Sequence, residues 1–290
     1  MLTRTPHIWP DSATIMTRSR EIFFSRWEEL LRLRSAVLDR LDGEDIHDLR
    51  VASRRFRAAL ELFYPFAPKG AKTELKKSVR KLTRTLGELR NIDEAQLFLQ
   101  RHTSETGQPD ATIRRKLAKL ARGEQEKVCK ALKNFDHAGL DRSVRNIVAG
   151  LNETVITKHS RLSMLAYFSE VSIKLFLPIH QLLQEAKTPE HRKTRHALRI
   201  AIKKWRYFLE IVAPVLERDY SPLLDLLKEY QTLLGQLNDL VEFDGLLGEI
   251  KLPHEERRYA ETVLKSENAL LLERLAQLAD RSPLTYTFLI

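Results

Sequence analysis

The segment IHDLRVASRRFRAALELF at residues 46–63 returns 149 positions later as RHALRIAIKKWRYFLEIV, residues 195–212. His47, Leu49, Arg50, Ala52, Arg57, Leu60 and Glu61 face identical residues at His196, Leu198, Arg199, Ala201, Arg206, Leu209 and Glu210. Arg54, Arg55 and Phe56 face Lys203, Lys204 and Trp205. Further on, LGELRNIDEAQLFL (86–99) aligns with LGQLNDLVEFDGLL (234–247). A repeat of this kind is one supersecondary unit used twice, so the chain must fold as two copies of a single packing solution.

That unit is helical. Apolar residues recur at spacings of three and four nearly throughout, nothing alternates as a strand would, and 290 residues contain only 10 Gly and 11 Pro. Breaks at Asp42-Gly43, Pro65 to Gly70, Gly107 to Asp110, Asn134 to Leu140, Thr188-Pro189, Pro214 and Pro253 predict helices near 13–41, 44–64, 71–101, 110–134, 161–187, 189–213, 220–248 and 254–279. Another helix is expected near 140–155. Asp42 suits the N-cap of the helix leading to His47, and Thr188 that of a helix starting at Pro189. The expected fold is all-α: a four-helix half over 13–135, a connection over 136–160, and a second four-helix half over 161–280. Gly87 and Gly235 recur inside equivalent helices at a cost of about 1 kcal/mol each relative to Ala. Their recurrence predicts a close helix approach where the basic helix crosses.

At about 100° per residue, Leu49, Ala52, Phe56, Ala59, Leu60 and Phe63 form one broad apolar face of the first basic helix. His47, Arg50, Arg54 and Arg57 share a separate stripe roughly 80° wide. Beyond the stripe lies a second, smaller apolar strip of Val51, Ala58 and Leu62. The second copy repeats this with His196, Arg199, Lys203 and Arg206 beside Ile200, Tyr207 and Ile211. Apolar flanks on both sides predict a recessed stripe, and recessing like charges one turn apart is unfavourable. Something anionic must offset it. One candidate is internal pairing with Glu61, Asp93, Glu94, Asp239, Glu242 and Asp244. The other is an external polyanion lying between the two halves, held by the planar forks of Arg and the mobile point charge of Lys. A formal charge of +10, from 49 Lys and Arg against 39 Asp and Glu, suits the second. Lys76, Lys77, Arg80, Lys81 and Arg84 extend the positive surface along the third helix. Its counterpart in the second half has fewer such charges, so the field is expected to be asymmetric.

Cys129 is the single cysteine, which excludes an internal disulfide and makes the reducing cytoplasm the expected compartment. The opening MLTRTPHIWPDSATIMTR lacks the apolar core of a signal peptide, and no run approaches the roughly 20 apolar residues that span a bilayer.

The two segments IHDLRVASRRFRAALELF and RHALRIAIKKWRYFLEI, followed by LGELRNID and LGQLND, resemble the CHAD family, the conserved histidine α-helical domain, over about residues 13–280. The resemblance implies two four-helix bundles related by a pseudo-twofold axis, forming one elongated domain with a central basic cleft or pore. It implies non-catalytic binding of inorganic polyphosphate, with association to polyphosphate granules, and no cofactor. Carried over by position, His47, Arg50, Arg54, Arg55 and Arg57, with His196, Arg199, Lys203, Lys204 and Arg206, meet phosphate. Lys76, Arg80, Arg84 and Arg90 are additional candidate anion contacts. Helical geometry turns Arg55 and Lys204 about 80° or more away from the other basic residues.

Three other readings compete. As an enzyme the chain would use His47 and His196 as phosphoacceptors, general bases or metal ligands. Yet Val51 and Ile200 stand four residues later, Arg50 and Arg199 three later, and no glycine phosphate loop or nucleophile elbow is present. Nucleic acid would suit the charge, but single-strand binders expose aromatic platforms, and Phe56 and Trp205 fall on the inner face. A scaffold role is compatible with polyanion binding. The apolar tail SPLTYTFLI (282–290) is expected to dock on a partner or on the protein's own body.

Overall fold

The computed structural model describes residues 9–66, 72–103, 111–151, 164–188 and 190–288. Its helices are α1 (Ser12–Arg40), α2 (Gly43–Phe63), α3 (Lys72–Thr103), α4 (Ala111–Lys133), α5 (His137–Gly150), α6 (Met164–Leu182), α7 (Arg192–Leu216), α8 (Ser221–Glu249) and α9 (His254–Arg281), with 3₁₀ turns at Tyr64–Phe66 and Glu185–Lys187. The described residues contain no strand. None of their helices is long and apolar enough to cross a membrane. Residues 67–70 of the break expected at Pro65 to Gly70, the break at Gly107 to Asp110, Pro189, the connection after Leu151 and the last two residues of the tail lie outside the described residues.

Local chemistry sets the helix ends. Asp42 accepts hydrogen bonds from the amides of Glu44 and Asp45, capping α2, and Asp11 accepts one from Thr14 at 2.7 Å, capping α1. Thr188 does not cap α7, as the sequence had suggested. Its carbonyl accepts from the Arg195 guanidinium and the His191 amide, so the chain makes one more turn and the helix starts at Arg192. Nor does Pro214 end that helix. It sits one turn from the terminus, where one amide is lost, and α7 stops at Glu217 in a left-handed conformation with φ of 53° at the analogous Leu41 and 51° here.

Consecutive helices within each half pack on one another: α1 on α2, α2 on α3, α3 on α4, then α6 on α7, α7 on α8, α8 on α9. Across the halves α2 packs on α7 and α3 on α8, so each copy of the repeat meets its counterpart through equivalent helices. Buried apolar side chains from both halves form one continuous cluster. At its centre Phe56 packs 5.2 Å from Trp27 and 5.5 Å from Phe23, while its counterpart Trp205 packs 4.8 Å from Phe176. Burial of both rings is complete, as the apolar face predicts. α5 adds Leu140, Val144 and Ile147 to this core, and Trp27 donates to Asp141 at 2.9 Å.

The tail folds back on the protein itself. Phe288 is buried 5.4 Å from Phe208 and stacks 5.9 Å from Tyr220, and Tyr286 lies 5.4 Å from Phe176.

Candidate functional site

Pairing α2 with α7 and α3 with α8 turns the two basic stripes toward a common cavity of about 690 Å³. Each stripe is fixed by the apolar face beside it: burying Leu49, Ala52 and Phe56 on α2, and Leu198, Ala201 and Trp205 on α7, leaves only one direction for the cations. Of the predicted contacts, His47, Arg50, Arg54, Arg90, Arg199, Lys203 and Arg206 line the cavity.

The others lie elsewhere. His196 is exposed in a neighbouring groove, with Nδ1 2.9 Å from the Asn238 side-chain oxygen. Arg55 donates to Glu210 at 3.1 Å, and Lys204 is exposed; both sit off the stripe, as their angle demands. Arg57 lies 4.0 Å from Glu61, one turn beyond the cavity wall. Lys76, Arg80 and Arg84 are exposed on the N-terminal half of α3.

The cavity wall carries seven cations against three carboxylates, Glu94, Asp239 and Glu267. Arg206 is spoken for internally, with 2.8 Å ion pairing to Glu210 and a hydrogen bond to Gln231; Arg90 pairs with Glu94. Among the described residues Arg50, Arg54, Arg199 and Lys203 make no ion pair within 4.0 Å. The Nε atoms of Arg50 and Arg199 and Nδ1 of His47 are buried and have no hydrogen-bond partner among the described residues. Buried polar groups are ordinarily satisfied, so leaving three of them unmet in one wall is energetically costly.

The electrostatics express the same strain. Burial, then the charges of Arg54, Arg199 and Arg50, push the Lys203 amine down to about 6. Burial followed by Arg54, Arg199 and Arg90 lowers Arg50 to about 10, so it stays charged at neutral pH. Arg199 is lowered by burial, against the pull of Asp239. Burial raises Asp239 even though Arg199 works the other way. Burial, Arg90 and Arg50 together depress His47, which favours the neutral imidazole.

Neither glycine marks a close approach of helix backbones. A Cβ at Gly87 would meet the Arg50 guanidinium at 4.0 Å, and one at Gly235, in the cavity wall, would meet nothing within that distance. Sequence reasoning did not single out Arg101, Gln231 and Gln236, which also line the cavity. Their signal was spacing: Arg101 follows Arg90 by three helical turns, and Gln231 precedes Gly235 by one. Glu210 was likewise not counted among the internal counter-ions. Among the described residues no group of three His, Cys, Asp or Glu is disposed to hold a metal ion.

Comparison with known proteins places this geometry in context. The family model described as CHAD domain matches residues 21–248. The crystal structure of the CHAD domain from the plant Ricinus communis is 25% identical, with a TM-score of 0.70, covering 92% of this chain and 90% of that one. PptA from Streptomyces chartreusis has the same fold at a TM-score of 0.66, with 16% identity and coverage of 94% and 98%. A search of curated proteins finds no significant match.

Proposed function

The chain belongs to the CHAD family, and on that premise we propose that its central cavity binds inorganic polyphosphate without catalysing a reaction on it. The observation that carries the reading is the meeting of Arg50 and Arg54 from one copy with Arg199 and Lys203 from the other, recessed, with no ion pair within 4.0 Å among the described residues and with Asp239 as the one carboxylate in the wall that acts on three of them. Bringing like charges together out of water is unfavourable unless a ligand neutralises them. A thin, flexible anion with one negative charge or more per unit reaches such a recess, and successive phosphates engage the two stripes as linked sites.

Two features favour this anion over nucleic acid. The aromatic residues of the basic helices that a base would stack on, Phe56 and Trp205, are fully buried; the aromatics in the cavity wall are Tyr207 and Phe98, and Phe98 is buried edge-on against Phe243. The cations also sit inside a cavity and not on a protruding helix. His47 serves as a hydrogen-bonding group. Arg50 and Val51, three and four residues after it on α2, offer neither a second metal ligand nor a nucleophile, and among the described residues no group of three His, Cys, Asp or Glu gathers around it. In the cell this activity would tether the protein to polyphosphate granules in the cytoplasm.

Calorimetric titration with long-chain polyphosphate, in the presence and absence of single-stranded DNA, tests the reading. Saturable binding that DNA does not displace supports it. Absence of binding, or displacement by DNA at equal concentration, would overturn it.

A further inference from the structure

We propose that a polyphosphate chain held in the cavity leaves it on one side only, along a basic track between the N-terminal half of α3 and the C-terminal half of α2; this rests on the function proposed above. The track is continuous with the cavity by construction. Gly87 lies beside Arg50, where a Cβ would be 4.0 Å from the guanidinium, and Lys76 lies over the ring of Tyr64 at 5.1 Å. Moving up α2 from Arg50 to Tyr64 thus means moving back along α3 from Gly87 to Lys76, so the two packed helices run antiparallel here. At 100° per residue Lys76, Arg80, Arg84, Gly87 and Asn91 fall within about 80° of arc on α3. Asn91 is already cavity wall. The rise of 1.5 Å per residue carries the stripe about 16 Å beyond Gly87.

These cations are available. Lys76, Arg80 and Arg84 are exposed, and among the described residues the carboxylate that pairs with them is Glu88, 3.9 Å from Arg84 with both side chains more than half exposed. A pair so loose and so wet contributes little and yields readily to phosphate. Across the cavity the repeat breaks down. The positions on α8 equivalent to Lys76, Arg80 and Arg84 are Leu224, Lys228 and Thr232, and the neighbours equivalent to Lys77 and Lys81 are Asp225 and Glu229. Glu229 is held by Arg281 at 3.1 Å, so a chain emerging on that side meets a single stripe cation, Lys228, beside the Asp225 carboxylate. The two copies therefore share one cavity but supply only one way out that favours an anion.

The test compares tripolyphosphate, short enough to stay in the cavity, with a long polyphosphate chain. The proteins are wild type, a Lys76→Glu, Arg80→Glu, Arg84→Glu triple variant checked for folding by circular dichroism, and a Lys228→Glu control. The triple variant should bind tripolyphosphate as wild type does, and bind the long chain at least about ten-fold more weakly. Its plot of log affinity against log salt should be shallower by about 2, reflecting three lost phosphate contacts. Lys228→Glu should change neither. Equal loss for both ligands, an unchanged affinity for the long chain, or the same loss in Lys228→Glu would overturn the track and leave the cavity reading standing. Loss of duplex DNA binding in the triple variant with polyphosphate binding intact would reassign the track to nucleic acid. Wild type that binds neither phosphate ligand would overturn the function itself and the track with it.

Discussion

Arg55 of the first basic helix donates from Nε to Oε2 of Glu210 on the second, 3.1 Å away, while Arg206 holds the other carboxylate oxygen from one turn back on Glu210's own helix. One carboxylate thus pins the two copies together at the edge of the cavity and absorbs two of the cations that sequence alone would assign to a ligand. What it leaves without an ion pair among the described residues is the inner set: Arg50, Arg54, Arg199 and Lys203.

Glu210→Gln should therefore act on folding before it acts on binding. It strands one partly buried guanidinium and one nearly buried one, an effect of roughly 2 kcal/mol, discounted from the buried limit because Arg55 is 37% exposed. Chemical denaturation should show that loss, with polyphosphate partly restoring it.

Lys203 gives the pH dependence. In the folded protein its amine titrates near 6, whereas in the unfolded chain it titrates near the ordinary 10.5. Between those values the unfolded state holds the extra proton, so this residue makes stability rise as pH rises from about 6 to 10.5. Lys203→Met should flatten that rise in denaturation curves recorded across the window. A bound polyanion reverses the cause of the shift, so binding near pH 8 should take up about one proton at this site. Calorimetry in buffers of different ionisation enthalpy measures it directly, and affinity should weaken as pH climbs.

How much of this could be read from the chain is best judged from particular residues. The helices were legible because apolar spacing and caps such as Asp42 are local signals. Gly87 and Gly235 were not: a helix interior shows a glycine, but not whether the space it leaves faces a helix, a guanidinium or a cavity. His47 and His196 carry the same motif yet have different surroundings, the first depressed by burial with Arg90 nearby and the second bonded to Asn238. Arg90 and Asn238 are equivalent positions in the aligned repeat, so the divergence was written in the sequence but interpretable only once α3 and α8 were seen to flank these histidines. The fate of Glu210 depended on contact between the halves, which no single-helix projection contains.

The tail makes a prediction of its own. Removing residues 284–290 deletes fully buried Phe288 with its partners Phe208 and Tyr220 left facing a void, which should cost about 3 kcal/mol or more. Thermal melts should show it, while polyphosphate affinity of the protein that remains folded should be unchanged, since the tail contacts α6 and α7 on the side away from the cavity lining.

Salt should oppose binding steeply. The four cavity cations give a slope of about −3 in log affinity against log salt for tripolyphosphate, which stays in the cavity, and the three track contacts steepen it to about −5 for the long chain. A slope near zero would mean that the cavity cations are not what holds the ligand.

The most direct measurement is calorimetric binding of long-chain polyphosphate to Arg54→Glu, to Lys203→Glu and to the double variant, each confirmed folded. Arg54 and Lys203 come from different copies and face one cavity. If one ligand spans both stripes, each single change should weaken binding by ten-fold or more, and the two should combine non-additively because they act through the same bound chain. Wild-type affinity in the folded double variant would contradict the account.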